Sequence, residues 1–364
     1  MQPVTSVAEL AARIDSPEFG LIRELYEVDR VASSRISMSP AGWAIASDAI
    51  GLPREAIENQ VISIVRDRFT GHEAVINPVR LRRKGGARGA PAPASSPGAG
   101  AIQCRWCREW HVRQSDLWTD QWGAVFSADG RIGTRPNWAR QGSINGLAFG
   151  DEGMHDLQSL AESEFVGLFE TGERYLAAAR SAHPSMCFAA LFLNGGPKSA
   201  SSVEHAHVQI VARADRHFAY PESICARCPP DYWQRTLAAH KLLGLAVAEG
   251  ECVGWVGLAP VKEKDFTALS ASVCDGARFM YRIWRRFAQA GTRNFSLAAI
   301  LSPHHVTGTH GPARCASWPG VVWRFVDRGD PEVPHSDIGT MELFGSAVIA
   351  SDPFVVAAQL RPPG

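Results

Sequence analysis

The sequence predicts an α+β protein built from a duplicated unit of antiparallel strands flanked by helices, and three observations carry that expectation. Residues His155 to Arg180 place Leu157, Leu160, Ala161, Phe165, Leu168 and Phe169 at spacings of three and four, the stripe of a helix packed on a sheet. Apolar or alternating runs at Met186–Leu193 and Ala206–Ala212 bracket a Gly/Ser-rich turn, NGGPKSASSVEH, and read as strand, loop, strand. The order then recurs: a helix around Asp231 to Ala248, a strand at Cys252–Leu258, a helix from Phe266 to Gln289, and strands at Phe295–Leu301 and Val321–Val326.

The remaining elements follow in chain order. Residues 1–60 form an N-terminal extension with no chemical motif, in which Val7 to Ile14 has the pattern of one or two helical turns. VISIVRDRF from Val61 and HEAVINPVRLRR from His72 read as two strands joined at Thr70 and Gly71, ending in a basic cluster. Lys84 to Gly100 is almost entirely Gly, Ala, Pro and Ser, has nothing to bury, and is expected to be a mobile loop. Trp106 to Trp138 yields only short strands such as WGAVFSADG. Residues 61–215 then form one half of the duplication and 216–364 the other.

Composition excludes several function classes. The 364 residues carry 37 basic and 37 acidic side chains, so no global field draws the chain to nucleic acid or an anionic bilayer, and an anionic ligand needs a local site. The longest apolar stretch, Met186–Leu193, is far short of the ~20 residues a membrane helix requires, and the amino terminus lacks a signal pattern; both point to a cytoplasmic protein. Eight cysteines are too few for a disulfide scaffold, but four of them form two Cys-x-x-Cys pairs, which in a reducing compartment suggests metal binding before disulfides.

The chemistry concentrates at His205-Ala206-His207-Val208-Gln209-Ile210. Strand side chains alternate, so His205, His207 and Gln209 share one face while Ala206, Val208 and Ile210 pack on the other. Such a row suits attack on phosphorus: a neutral imidazole offers one lone pair, its second nitrogen can be held by a carbonyl, and an amide can donate to a phosphate oxygen. The plainer alternative is two exposed histidines alternating in an edge strand. Upstream, Asn194-Gly195-Gly196 opens a turn whose amides could approach phosphate without Cβ obstruction, and Ser199, Ser201 and Ser202 add hydroxyls. Cys104 and Cys107 have the spacing that lets two thiolates reach one zinc ion, with His155 and His205 as candidate partners. A redox pair is the competing reading, and Cys225 with Cys228 could instead complete an all-cysteine site.

Together these residues make the chain resemble the galactose-1-phosphate uridylyltransferase family, a branch of the histidine triad superfamily, over roughly Val61 to Leu360. The most specific part is NGGPKSASSVEHAHVQ, similar to the family's Asn, Gly/Ser turn, Ser and His-x-His-x-Gln pattern. The resemblance implies a duplicated histidine-triad-like fold whose second half is degenerate. It implies His207 as nucleophile, Gln209 as its phosphate partner, and Asn194 and Ser202 as phosphate-positioning groups. Cys104, Cys107, His155 and His205 fall in the order of the family's structural zinc ligands. Arg80 and Arg83, in NPVRLRR, would face the nucleotide phosphates; Asn137 resembles a base- or ribose-contacting asparagine; Glu342 resembles a hexose-contacting glutamate that reaches across a homodimer interface.

The chain also departs from that family. Glu204, Ala206 and Val208 replace residues that are usually Pro, Pro and Gly, Ala200 sits where a Gly is common, and Trp323-Arg324-Phe325 takes the place of a second His-x-His. The implied activity is transfer of a nucleoside monophosphate from a nucleotide sugar to a sugar phosphate through nucleotidyl-histidine. Alternatives are a phosphorylase or hydrolase of the same superfamily, acting on a nucleotide sugar or a dinucleotide, and a catalytically inactive nucleotide-binding protein.

Overall fold

The computed structural model describes residues 2–32, 38–82, 104, 120–137, 141–154, 157–199, 205–303, 305, 318–332 and 338–361. The chain opens with α1 (Val7–Arg13), α2 (Gly20–Leu25), β1 (Tyr26–Ala32), α3 (Pro40–Ile50), α4 (Arg54–Glu58), β2 (Val61–Asp67) and β3 (Glu73–Ile76). The first half of the large sheet follows: β4 (Ile132–Pro136), β5 (Ile144–Gly150), α5 (Glu162–Ala182), β6 (Phe188–Gly195) and β7 (His207–Arg213). After α6 (Ala219–Arg227) and α7 (Tyr232–Leu242) come β8 (Ala246–Glu249), β9 (Cys252–Val256), β10 (Phe266–Ser270), α8 (Val273–Gln289), β11 (Phe295–Leu301) and β12 (Val321–Asp327). The last described elements are β13 (Ser346–Ile349) and α9 (Pro353–Gln359).

Nine strands form one sheet in the order β4-β5-β7-β6-β11-β12-β10-β9-β8, every neighbouring pair antiparallel. The halves meet at β6 and β11, so β7 and β12 each lie one strand out from the centre. Alternation fixes the faces. Phe295, Leu297, Ala299 and Leu301 of β11 are buried beneath α5 and α8, which pack against each other through the stacked rings of Phe165 and Trp284, 5.6 Å apart. Phe169 of α5 meets Trp323 of β12 edge-on at 5.1 Å, and Gly172 lets the helix approach Val208 and Ile210. The opposite face of the second half is covered by a smaller cluster that includes Ile224, Tyr232, Trp233, Trp255, Trp318 and Val322.

A second sheet, β1-β2-β3-β13, joins both ends of the described chain: β1 pairs antiparallel with β2, and β13 runs parallel to β3 with Ser346 opposite Glu73. Asp352 caps α9 by accepting from the Phe354 N–H, and its other oxygen accepts from the Val7 N–H at 2.9 Å, fastening α1 to the C-terminal helix. No helix among the described residues is long and apolar enough to cross a membrane.

The α+β class, the Val61 hairpin and the strands at 295–301 and from Val321 agree with the sequence reading. Several elements differ. The helix expected from His155 starts at Glu162, because Glu164 reaches back to accept from the Ala161 N–H at 2.9 Å and fixes the first turn there. Phe266–Ser270, expected as helix, is a strand held between β9 and β12, and the helix begins only after Ser272, whose hydroxyl accepts from the Asp275 N–H. The helix expected through Ala248 ends at Leu242, where Gly244 takes φ +70°, and its tail forms β8. Residues 78–82 form a 3₁₀ turn rather than strand, and WGAVFSADG contributes one isolated bridge, Phe126 to Gly133. Residues 84–100 lie outside the described residues.

Candidate active site

The site grows from β7. Val208 and Ile210 lie against Gly172 of α5, so His207 and Gln209 emerge on the face away from the helices, as the alternation requires. Register extends this face sideways: Phe149 is opposite His207, Leu147 is opposite Gln209, and Arg135 is opposite Leu147. On the other side Phe192 pairs with Gln209, and Asn194, two residues on and next to the last of β6, lies on the same face, half-buried. Asn137 follows β4, its N–H donating to the Asn145 carbonyl at 2.8 Å, while the Asn145 side chain donates to Ile210 at 2.9 Å and accepts from the Gln141 N–H. This latch fastens the β4–β5 turn to β7.

His207 is 6 % exposed, and its Nδ1 lies 2.8 Å from the carbonyl oxygen of His205. A carbonyl only accepts, so Nδ1 carries the proton and Nε2 the lone pair. Burial pushes the imidazole pKa below its ordinary value; the bond to His205 opposes this, and the nearby Arg135 charge adds to it. Arg135 is 7 % exposed, its guanidinium carbon 4.9 Å from the centre of the Phe149 ring. A neutral, lone-pair-bearing imidazole beside a buried cation can attack an electrophile whose negative charge the cation accommodates.

His205 is 1 % exposed, with Nε2 2.9 Å from the Gly150 carbonyl and Nδ1 3.7 Å from the Sγ of buried Cys104. Donation from Nε2 leaves the lone pair on Nδ1, facing the sulfur. Zinc bonds of ~2.3 Å to sulfur and ~2.0 Å to nitrogen at a tetrahedral angle separate the two ligand atoms by about 3.5 Å, so this pair fits one metal ion, with Gly150 as the outer partner orienting the ring. Cys107 and His155 lie outside the described residues. Among the described residues no three metal-ligating side chains converge, so Cys104, Cys225 and Cys228 do not come together there. Those two cysteines instead pack beside the Trp233 cluster, where burial first and Asp67 second push the Cys228 thiol up to about 12.

Of the other expected site residues, Ser202 and Arg83 lie outside the described residues. Arg80 is exposed on the 3₁₀ turn after β3, and no hydrogen bond or ion pair among the described residues joins it to β7. Glu342 accepts from Lys262 Nζ at 2.7 Å and from the Gly339 N–H, on a turn that exposes Leu343 and Phe344. The cation facing His207 is Arg135, which sequence reasoning missed. Its local signal was the alternation in Ile132–Pro136, but only pairing through β5 places it on the face of His207.

Two solved structures share this architecture. A galT-like protein from Arabidopsis thaliana is 14% identical over 68% of this chain and 89% of that one, with a TM-score of 0.50. An ADP-glucose phosphorylase from Arabidopsis thaliana, solved with bound ADP-glucose, is 14% identical over 83% of this chain and 98% of that one, with a TM-score of 0.57. The sequence matches no protein-family profile and no curated protein. The fold is therefore that of the galT-like group, as the motif resemblance implied.

Proposed function

We propose that the protein transfers a nucleoside monophosphate through a covalent intermediate on His207. The observation that carries this is the bond from Nδ1 to the His205 carbonyl, which holds the ring in the tautomer with its lone pair on Nε2, next to Arg135. Nε2 attacks the α-phosphorus of a nucleotide sugar; the P–N bond forms as the P–O bond to the outer phosphate breaks, and a sugar phosphate leaves. A phosphate oxygen of an acceptor sugar phosphate then attacks the same phosphorus, the P–N bond breaks, and the lone pair returns to Nε2. In this reading Gln209 and Asn194 donate to non-bridging oxygens, Arg135 offsets the charge that accumulates there, and Arg80, Arg83 and Ser202 are further phosphate contacts. Cys104 and His205, with Cys107 and His155, would hold a zinc ion that fastens the catalytic strand to the cysteine turn.

A second reading keeps the first step and lets inorganic phosphate take the nucleotide. It is favoured by the likeness to an ADP-glucose phosphorylase over most of both chains. A cytoplasmic homodimer, with Glu342 contacting the sugar at a partner's site, belongs to the same expectation.

The test is to incubate the protein with nucleotide sugars labelled at the α-phosphate. An acid-labile protein adduct is expected, absent in His207→Ala, and chased by sugar phosphate or by inorganic phosphate according to the reading. Tight nucleotide binding with no adduct would instead identify an inactive binding protein.

A further inference from the structure

The sheet face that carries His207 continues without a break into the second half. Leu193 lies opposite Val208, so one further step along both strands brings Asn194 level with His207; Asn194 in turn lies opposite Ser296 of β11, and Ser296 opposite Val326 of β12. Phe295 and Leu297 are buried beneath the helices, so Ser296 points to the other side, that of His207, two strand spacings or about 10 Å away. Arg328, just past the end of β12, reaches onto this row. Its Nη1 donates to Ser296 Oγ at 3.1 Å, which sets the guanidinium beside Asn194, and the residue is half-buried.

The backbone that presents Arg328 is held by Asn294, which is fully buried. The Arg328 N–H donates to the Asn294 carbonyl at 2.9 Å, and the Asn294 side-chain amide donates to the Gly329 carbonyl at 2.8 Å. Its Oδ1 accepts from the Lys198 N–H at 3.2 Å. One interior residue therefore ties the end of β12 to the turn that follows Asn194, so Arg328 and Asn194 keep a fixed relation.

The two flanks of His207 differ in chemistry. Toward β5 stand the apolar Phe149 and Leu147, with Arg135 over the Phe149 ring; toward β11 stand Asn194, Ser296 and Arg328, all polar. A nucleotide sugar divides in the same way about its α-phosphorus, into a nucleoside with an apolar base and a polar, anionic sugar phosphate. Resting on the reading of His207 as the group that attacks that phosphorus, we propose that Arg328 binds the outer phosphate of the nucleotide sugar and the phosphate of the acceptor that replaces it. The second half then supplies part of the substrate site. A planar guanidinium suits this task, because it meets two phosphate oxygens at once where an ammonium offers a point charge.

The test compares ligands with and without the outer phosphate. The full chain carrying His207→Ala, which cannot form an adduct, is titrated calorimetrically with ADP-glucose and UDP-glucose, and with AMP and UMP. Adding Arg328→Met should weaken the nucleotide sugar about tenfold or more and leave the matching monophosphate within about twofold. Arg328→Lys should restore only part of the loss, and Ser296→Ala should give a smaller loss of the same kind. Retained monophosphate binding shows that each variant is folded. Equal losses for both kinds of ligand, or no loss for either, overturn the assignment, and no binding of any of the four overturns it together with the reading beneath it. Labelling at the α-phosphate separates the two: an adduct on His207 with nucleotide-sugar binding indifferent to Arg328 sinks Arg328 alone. The tenfold contrast without any adduct keeps Arg328 as an outer-phosphate ligand and sinks the covalent step.

Discussion

Arg135 and His207 are joined through Phe149, which pairs across the sheet with His207 and carries the Arg135 guanidinium over its ring. The cation is thus set from the strand next but one to that of His207. Arg135→Met keeps the apolar stem over Phe149 but removes the charge, so adduct formation at His207 should slow by about 10²–10³-fold with little change in melting temperature. Single-turnover labelling checks this, and an unchanged rate would remove Arg135 from the mechanism.

Elemental analysis should find about one zinc per chain. Cys104→Ser and His205→Ala should each lose it and lower the melting temperature by several degrees, since the ion would tie the residues that lead into β7 to Cys104, 101 positions earlier. A metal-free wild type as stable as the purified protein would rule the ion out.

Acid should destabilise the fold through two interior histidines outside the site. His217 and His240 are 1 % and 0 % exposed, and burial pushes both imidazoles down to about 4. Each is neutral in the folded chain while the unfolded chain takes up protons near pH 6.5, so stability is fully present above pH 6.5 and falls as pH drops toward 4. The loss at pH 4 is roughly 3 kcal/mol for each ring. Chemical denaturation between pH 7 and 4 measures it, and His240→Gln should flatten the slope.

β5 comes close to α5 at Gly146, where an added Cβ would lie 2.5 Å from the ring of Tyr175. Tyr175 is 1 % exposed and its hydroxyl is held by Asp120, so the ring has nowhere to move. Gly146→Ala should cost about 1–3 kcal/mol and shift Asn145, loosening the latch on β7. A denaturation midpoint equal to wild type would contradict the tight approach.

The sequence made the shared face of His207 and Gln209 legible because alternation is local: any strand through His207–Ile210 puts the two on one side. The strands at 295–301 and from Val321 were legible for the same reason. Phe266–Ser270 was not, since its apolar spacing continues into Val273–Gln289 and only pairing with β9 and β12 makes it a strand. Arg135 was hidden likewise, because its relation to His207 runs through two registers that no spacing encodes. Glu342 was read from its surrounding motif, and its ion pair with Lys262, 80 positions away, could not be foreseen.

The parallel pairing of β3 with β13 also bears on biogenesis. Glu73 must wait for Ser346, 273 positions later, before its outer edge is covered. While the intervening chain is being made, the β2–β3 hairpin presents an open row of amides and carbonyls to every neighbouring nascent chain. Growth temperature and chaperone supply should therefore govern the yield of folded protein more than the stability of the finished molecule does.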